Sequence, residues 1–260
     1  MLALISGATS GIGEACAKLL AKNGIDLFLI GRRSPELKNL SASLKDVGVQ
    51  VFAESCDLRD REKIQAIFKT HAGIFDSHLG FLINNAGLAK GMSYFQDVNP
   101  NDHKNFDEMI DVNFKSLVFM TGQALPYLIK QKALAHIVNI GSVAGHYTYP
   151  KGNVYCATKA AVRVFNEALR QDLNGTGVRV TSIDPGMVET AFSQTRFEGD
   201  QTKAKAVYSG MTPLHAMDIA EAVLWSLNRP AHVNIQEMII YPTDQASPAL
   251  VNRREPKSLI

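Results

Sequence analysis

The sequence predicts an α/β protein of one domain, in which a parallel β-sheet carries helices on both faces. Short apolar runs alternate along the whole chain with longer stretches of helical periodicity. The first apolar run leads through a glycine-rich turn into the first helical stretch. With 260 residues, the chain has the length of a single α/β domain. Strands that alternate with helices pair in parallel, because each return crossing is made by a helix.

The elements follow one another without a linker, a repeat or a low-complexity segment. Strands are predicted at 2–5, 26–30, 49–55, 79–83, 135–140, 178–183 and 235–241. Helices are predicted near 12–23, 35–47, 60–74, 101–131, 153–173 and 216–228. One domain is expected over 1–250, followed by a polar tail over 251–260 that is expected to be loosely ordered.

The longest stretch without a recognisable pattern lies between the last two predicted strands. It covers 189–213 and follows Pro185-Gly186. Long irregular segments in compact domains are commonly functional. We predict that 189–213 is a lid that closes over a substrate and excludes water.

Composition excludes several classes of function. The net charge of +2 predicts neither nucleic-acid binding nor membrane binding. The three cysteines, Cys16, Cys56 and Cys156, lack metal-ligand spacing, so no metal site is expected. They are interpreted as reduced thiols of a cytoplasmic protein. No apolar run has the length of a membrane helix, and no targeting segment is recognised.

The glycine-rich turn predicts a nucleotide site. Its residues are Gly7, Ala8, Thr9, Ser10, Gly11, Ile12 and Gly13. Small residues let the backbone approach a pyrophosphate, and the helix that follows presents free amide donors to it. Taken alone, such a stretch is often only a turn. Its place between a first strand and a first helix favours nucleotide binding.

The second predicted strand ends in Gly31, Arg32 and Arg33. A site for NAD usually has a carboxylate here, which accepts a hydrogen bond from the ribose 2′-hydroxyl. Two guanidinium groups suit a 2′-phosphate instead, because they stay charged and bind it bidentately. NADP is therefore the predicted cofactor, although paired arginines are more often solvated loop residues.

Tyr155 and Lys159 are spaced four residues apart in a predicted helix, so they share one face. A free phenol titrates near pH ~10, which makes it a poor acid or base at neutral pH. A neighbouring ammonium is expected to lower that pKa and to make proton transfer effective. The alternative is a half-buried ring beside a solvated amine.

In these motifs the chain resembles the short-chain dehydrogenase/reductase family. The matching runs are Gly7 to Gly13, Asn84-Asn85-Ala86-Gly87, Asn113, Ile140-Gly141-Ser142, Tyr155 with Lys159, and Asp184-Pro185-Gly186. The resemblance implies a Rossmann-like, doubly wound sheet of seven strands in the order 3-2-1-4-5-6-7. It also implies a homo-oligomer, with a tetramer favoured, that pairs the helices at 101–131 and 153–173.

The resemblance further implies catalytic roles for four residues. Tyr155 would exchange the proton, and Ser142 would hydrogen-bond the substrate oxygen. Lys159 would bind the nicotinamide ribose and lower the pKa of Tyr155. Asn113 would fix a water that relays protons from Lys159. The alternatives are a strand-end cap for Ser142 and an exposed helix asparagine for Asn113.

Other positions are implied to contact the cofactor. Asp57 and Leu58 would contact adenine, although Asp57 could instead cap the helix that begins near Asp60. The remaining implied contacts are Asn84, Ala86, Gly87, Pro185, Gly186, Val188 and Thr190.

The last third resembles the NADP-dependent 3-hydroxy acid dehydrogenases, also called serine or L-allo-threonine dehydrogenases. The matching runs are 152–155, 196–200 and 230–235. This subgroup implies small 3-hydroxy acids as substrates, such as L-serine, L-allo-threonine or 3-hydroxypropionate. Arg196 is the first candidate for binding their carboxylate, with Lys151 and His146 as rivals, and all three could be surface charges.

Two further functions are kept open from the sequence. The first is a carbonyl reductase of the same family that acts on larger ketones or 3-oxoacyl thioesters. The second is a nucleotide sensor that has no turnover. The intact set of Ser142, Tyr155 and Lys159 argues against a sensor.

Overall fold

The computed structural model describes residues 1–254 and contains a sheet of seven parallel strands. The strands of this sheet are β1 (Leu2–Ser6), β2 (Asp26–Gly31), β3 (Val51–Ser55), β4 (Leu79–Asn84), β5 (His136–Ile140), β6 (Arg179–Pro185) and β9 (Glu237–Ile240). Their order is β3-β2-β1-β4-β5-β6-β9. The predicted fold and strand order are confirmed. The last strand is the ninth of the chain because β7 (Val188–Glu189) and β8 (Leu214–His215) form a separate parallel pair.

The helices agree with the prediction in position but not in continuity. They are α1 (Gly11–Lys22), α2 (Ser34–Leu44), α3 (Arg61–Thr70), α4 (Ala72–His78), α5 (His103–Ile110), α6 (Ser116–Gln131), α7 (Asn153–Asp172), α8 (Phe192–Arg196), α9 (Gln201–Ala206) and α10 (Ala216–Leu227). The single helix predicted at 101–131 is divided by a π-helical turn at Asp111–Lys115. Such turns are rare and are often found at functional sites.

Both faces of the sheet are buried, as expected of a parallel sheet between two helix layers. In β1, Ala3 and Ile5 join a cluster that includes α1 and α10. The alternate residues Leu2 and Leu4 join a second cluster that includes α3 and α6. The alternation follows from the period of two along a strand. The sheet is thereby fixed, with the carboxyl ends of its strands at one edge.

The segment 189–213 was predicted to be irregular, and this is wrong, since it contains α8 and α9. Helices this short have no periodic signal that a sequence can show. The chain after the last strand bonds to this segment. Arg253 donates to the carbonyls of Val207 and Ser209, and Arg254 binds the carboxylate of Asp244. Residues 252–254 are therefore held, and the rest of the predicted tail lies outside the described residues.

Several predictions stay predictions. Within residues 1–254, no helix combines the length and the apolar character needed to cross a bilayer. The cytoplasmic location and the tetramer are untested. Cys16, Cys56 and Cys156 are all buried as free thiols, and burial raises the pKa of each.

The packing of the first turn predicts the effect of adding one methyl group. A β-carbon at Gly13 would lie 2.4 Å from the carbonyl oxygen of Gly7, where neither backbone can yield. We expect Gly13→Ala to lower the free energy of unfolding by about 1–3 kcal/mol through overpacking. Denaturant unfolding followed by circular dichroism measures this change.

Gly73→Ala is the matched control for that substitution. Gly73 is exposed on α4, and an added β-carbon meets no atom within 4 Å. In a helix, alanine is favoured over glycine by up to about 1 kcal/mol, so this variant should be unchanged or more stable. Equal losses in both variants would contradict the packing argument.

Candidate active site

A cleft of about 370 Å³ lies at the carboxyl edge of the sheet, where the strand order reverses between β1 and β4. A cofactor site is expected at this position in an open α/β sheet. The predicted residues that line the cleft are Gly7, Thr9, Ser10, Gly11, Ile12, Arg32, Arg33, Asp57, Leu58, Ala86, Gly87, Ser142, Tyr155, Lys159, Pro185, Gly186, Val188 and Thr190. The fold therefore gathers motifs from the ends of six strands into one cavity wall.

The glycine-rich turn is packed against the loop after β4. The backbone φ of Gly7 is +68°, and a β-carbon there would lie 2.8 Å from the α-carbon of Ala86. Ser6 accepts hydrogen bonds from the amides of Asn85 and Ala86 at 3.1 and 3.2 Å. The Ser10 side chain does not cap α1, so the first amides of α1 remain directed at the cleft. This arrangement fits a phosphate group.

Gly13 and Asn84 were predicted to contact the cofactor, and the structure places both outside the cleft wall. Gly13 packs under Gly7. Asn84 is buried, and its amide donates to Thr121 and Asn139 at 2.9 Å each. Both residues brace the site from behind. Asn85 lines the cleft instead, with its amide bonded to the carbonyls of Ser6 and Gly7.

Two arginines stand at the open end of the cleft, after β2. Arg33 donates to Thr9 at 3.1 and 3.2 Å, and Arg32 lies 3.3 Å from Glu108. Both side chains are about half exposed, so their charges face solvent and the cleft together. A guanidinium pair at this position fits the extra phosphate of NADP.

Asp57 is the only acidic residue among the described residues that line the cleft. Its carboxylate is bound by Arg59 at 2.6 to 3.2 Å, and these bonds hold the pKa of Asp57 below its usual value. Asp60 caps α3, so the alternative capping role for Asp57 is wrong. Because Arg59 binds the carboxylate of Asp57, the described cleft wall contains no unpaired carboxylate that could accept a hydrogen bond from a ribose 2′-hydroxyl.

Three polar side chains meet at the inner end of the cleft. Tyr155 and Lys159 lie on α7, and Ser142 lies two residues after Ile140, the last residue of β5. The Lys159 side chain is buried, and its ammonium donates to the carbonyl of Ile140 at 2.9 Å. The Ser142 hydroxyl accepts from the Ala144 amide at 3.1 Å, and Ser142 and Tyr155 both line the cleft. This set can hold a substrate oxygen and move a proton at the phenol.

The charges around Tyr155 differ from the sequence prediction. Burial is the largest effect and raises the pKa of Tyr155 well above its usual value. The hydrogen bond from Ser142 and the charge of Arg196 lower it, whereas Lys159 is not among its main influences. Burial lowers the pKa of Lys159 to about 8, and the charge of Asp184 opposes that change. The role of Lys159 in lowering the pKa of Tyr155 stays a prediction, since burial has the largest effect on the phenol here.

Asn113 lies in the π-helical turn and is buried. Its amide donates to the Leu88 carbonyl at 2.8 Å and to Thr158 at 3.1 Å, and its oxygen accepts from the Leu88 amide. A β-carbon at Gly87 would lie 3.4 Å from Asn113 and 3.5 Å from Lys159, so these side chains approach each other. The alternative of an exposed helix asparagine is wrong.

Arg196, the first candidate for binding a carboxylate, ends α8 and lies above the phenol. Its guanidinium carbon is 5.3 Å from the ring centre of Tyr155 and 5.6 Å from that of Tyr149. It also donates to the hydroxyl of Tyr149. Its Nε is buried and is without a hydrogen-bond partner among the described residues. The Arg196 guanidinium, whose buried Nε has a hydrogen-bond donor to spare, thus lies beside Tyr155, the proposed proton donor.

The rival candidates lie elsewhere. Lys151 is exposed, with its ammonium 4.7 Å from the ring centre of Tyr94. His146 is turned inward, with Nε2 2.7 Å from Asp184, and it is absent from the cleft wall described above. His146 as a carboxylate ligand stays a prediction, and its ring is already bonded to a buried acid. Arg196 and Lys151 are likewise absent from that wall.

Sequence reasoning missed several residues of the cavity. Phe192 lies beside Tyr155, with ring centres 5.8 Å apart, and Leu88, Val112 and Thr195 also line the cleft. Tyr149 bonds to Arg196 through its hydroxyl. Most of these residues are apolar, and apolar residues give the same sequence signal in a core and in a cavity. Tyr149 stands in a polar run next to Pro150, which was the available signal of a loop near the site.

Known proteins resemble this chain along nearly its whole length. A sulfoacetaldehyde reductase 2 from Chromohalobacter salexigens is 43% identical over 254 residues, covering 98% of this chain and 99% of that protein. An NADP-dependent 3-hydroxy acid dehydrogenase from Escherichia coli is 40% identical over 256 residues, covering 98% and 100%. The closed form of a serine dehydrogenase with NADP⁺ has a TM-score of 0.89 at 39% identity, covering 98% of this chain and 100% of that one.

The family model described as short chain dehydrogenase matches residues 1–201, which run from β1 to the first residue of α9. The order of the strands, the cleft at their carboxyl edge and the Ser142, Tyr155 and Lys159 set all agree with that match. The chain belongs to the short-chain dehydrogenase family.

Proposed function

We propose that this protein is an NADP-dependent oxidoreductase that interconverts small 3-hydroxy acids, such as L-serine, L-allo-threonine or 3-hydroxypropionate, with their 3-oxo forms. The observation that carries the proposal is the partly buried Arg196, whose guanidinium lies 5.3 Å from the ring centre of Tyr155. A substrate whose carboxylate binds this cation has its 3-carbon a short distance away, near the phenol. The relatives named as 3-hydroxy acid and serine dehydrogenases support the same substrate class.

NADP is the proposed cofactor, held by the first amides of α1, by Arg32 and Arg33, and by the inner wall that includes Lys159. When bound, it supplies or accepts the hydride. The support from this chain is the guanidinium pair and the absence of an unpaired carboxylate in the described cleft wall.

The proton is moved by the side chains at the inner end of the cleft. Tyr155 is a protonated phenol at neutral pH, because burial raises its pKa, and this is the form that donates a proton in reduction. Ser142 would hydrogen-bond the same substrate oxygen. Phe192 packs edge-on against the phenol and would help to exclude water from it. In oxidation, the phenolate oxygen would take the proton from the 3-hydroxyl.

The same cation could bind a sulfonate in place of a carboxylate, since both are anions that accept hydrogen bonds from a guanidinium. The similarity to a sulfoacetaldehyde reductase favours including this second candidate. Sulfoacetaldehyde and 2-hydroxyethanesulfonate therefore belong in the substrate panel. Larger ketones and 3-oxoacyl thioesters remain the alternative substrates within the family.

Removal of the phenol hydroxyl should abolish proton transfer. We expect Tyr155→Phe to lower kcat by about 10²–10⁴-fold, because general acid catalysis is lost. Reduced-nicotinamide absorbance measures turnover with 3-hydroxypropionate, and fluorescence quenching measures NADPH binding. Binding should persist. A Tyr155→Phe variant with full turnover would rule out this assignment.

Removal of the Arg196 charge should separate acid substrates from neutral ones. We expect Arg196→Met to raise KM for 3-hydroxy acids by roughly 10²-fold, the loss of one charge-assisted pair, while sparing a simple secondary alcohol. The control is Arg229→Met, because Arg229 also stacks on a ring, Trp225, but follows α10 and does not line the cleft. Equal losses on both substrate types would contradict the role.

The arginines after β2 should set the cofactor preference. We expect Arg32→Ala with Arg33→Ala to raise KM for NADP by roughly 10–100-fold, and to leave KM for NAD within a few-fold. Initial rates at saturating hydroxy acid measure both constants. A parallel rise for NAD and NADP would show that these residues only support the local structure.

A further inference from the structure

A carboxylate is buried directly behind the catalytic turn and has no part in the mechanism above. This residue is Asp184, which lies in β6 and is 1% exposed. Its Oδ1 accepts from the Ser182 hydroxyl at 2.6 Å, and its Oδ2 lies 2.7 Å from Nε2 of His146. Glu237 on β9 approaches the same imidazole at 3.5 Å. Burying an ionised carboxylate costs free energy unless hydrogen bonds or an opposite charge compensate it. The cluster therefore needs a functional or structural explanation.

The cluster contacts the turn after β5, which carries Ser142. A β-carbon at Gly141 would lie 1.8 Å from Oδ1 of Asp184, so the carboxylate rests on the Gly141 backbone. The peptide between Ile140 and Gly141 is bonded on both sides. Its carbonyl accepts from Lys159 at 2.9 Å, and its amide donates to Ile183 at 2.8 Å. Asp184 and Lys159 therefore flank one peptide unit.

The charges on this face can be assigned to each element. Tyr155, Lys159 and Arg163 lie on α7, His146 follows β5, Asp184 lies on β6 and Glu237 on β9. Arg163 donates to the Gly145 carbonyl at 3.3 Å, and its charge acts on Glu237. Burial and the charge of Asp184 raise the pKa of Glu237. In residues 1–254, Lys159 makes no salt bridge within 4.0 Å, and Asp184 is the acid that acts on it.

We propose that Asp184, fixed by Ser182 and His146, is the buried counter-charge that keeps Lys159 protonated. Asp184 acts through Lys159, so it is a positioning residue. The inference rests on the role of Lys159 in holding the cofactor, which is proposed above. Two hydrogen bonds to the carboxylate stabilise its charge in a buried place. That charge in turn offsets the cost of burying the ammonium beside the Ile140 carbonyl.

The ligand atoms of His146, Asp184 and Glu237 lie within 4.8 Å of one another, a spacing that a metal ion could also use. We assign the cluster to charge balance instead. Each of the three side chains already has a partner within the cluster, since Nε2 of His146 lies 2.7 Å from Asp184 and 3.5 Å from Glu237.

Competitive acetylation of the protein at a series of pH values tests the proposal directly. Acetic anhydride modifies only the neutral amine, so mass spectrometry of the Lys159 peptide gives the apparent pKa of this lysine. We expect Asp184→Asn to lower that pKa by about one unit, because the opposing charge is lost. The matched control is Asp172→Asn, an exposed neutralisation on the same helix, which should leave it unchanged.

An unmoved labelling pKa in Asp184→Asn overturns the proposal. If Asp184→Asn does not fold, Asp184→Ser takes its place, since it removes the same charge with a smaller side chain and should shift the pKa in the same direction. An unmoved pKa in that variant overturns the proposal equally.

The pH profile of kcat/KM for reduction separates this inference from the proposed function. The alkaline limb should move to lower pH in Asp184→Asn, by the same amount as the labelling pKa. If the pKa of Lys159 from acetylation shifts but the alkaline limb of kcat/KM does not move, Asp184 is supported as the counter-charge of Lys159. The same result refutes the proposed role of Lys159 in turnover.

Discussion

The ammonium of Lys159 must be kept inside the protein, and the arrangement around the cleft depends on that constraint. A buried cation is costly unless nearby oxygens replace the water that it loses. Lys159 is 5% exposed, and the fold brings to it the carbonyl at the end of β5, a buried acid on β6 and the polar loop after β4. These groups lie on or directly after three strands, β4, β5 and β6, and α7 carries the ammonium itself. The ammonium can therefore be accommodated only when the strands, the helix and the loop are all in place.

The same face of α7 carries a row of buried polar contacts away from the cleft. Asn166 accepts from Asn139 at 3.0 Å, and Asn139 in turn accepts from Asn84 at 2.9 Å. Amide pairs of this kind require one register between the strands and the helix, because a slip of one residue would leave each partner unsatisfied. The network thus fixes where α7 lies along the sheet. It thereby fixes where Tyr155 and Lys159 enter the cleft.

The segment 189–213 shows how short helices and loops can position a charge. The two-residue pair of β7 and β8 closes its base, and Tyr208 bonds to the Val188 carbonyl at 2.8 Å. The carbonyl of Arg196 accepts from the Gly91 amide at 3.1 Å. The guanidinium is thereby held above Tyr155 by contacts from both sides of the cavity. Such contacts link distant parts of the chain, and loops of this kind carry specificity on a rigid scaffold.

The sequence by itself determined the parallel sheet, the nucleotide turn and the Ser142, Tyr155 and Lys159 set. These features are local, since apolar periodicity and spacing along one helix or turn specify them. Tertiary structure alone decided that His146 faces Asp184, that Asn84 braces the core and that Arg196 lies over the phenol. It also decided that burial outweighs nearby charge at Tyr155. The partners in each case are dozens of residues apart along the chain, and their distance and shared burial exist only once the strands have assembled.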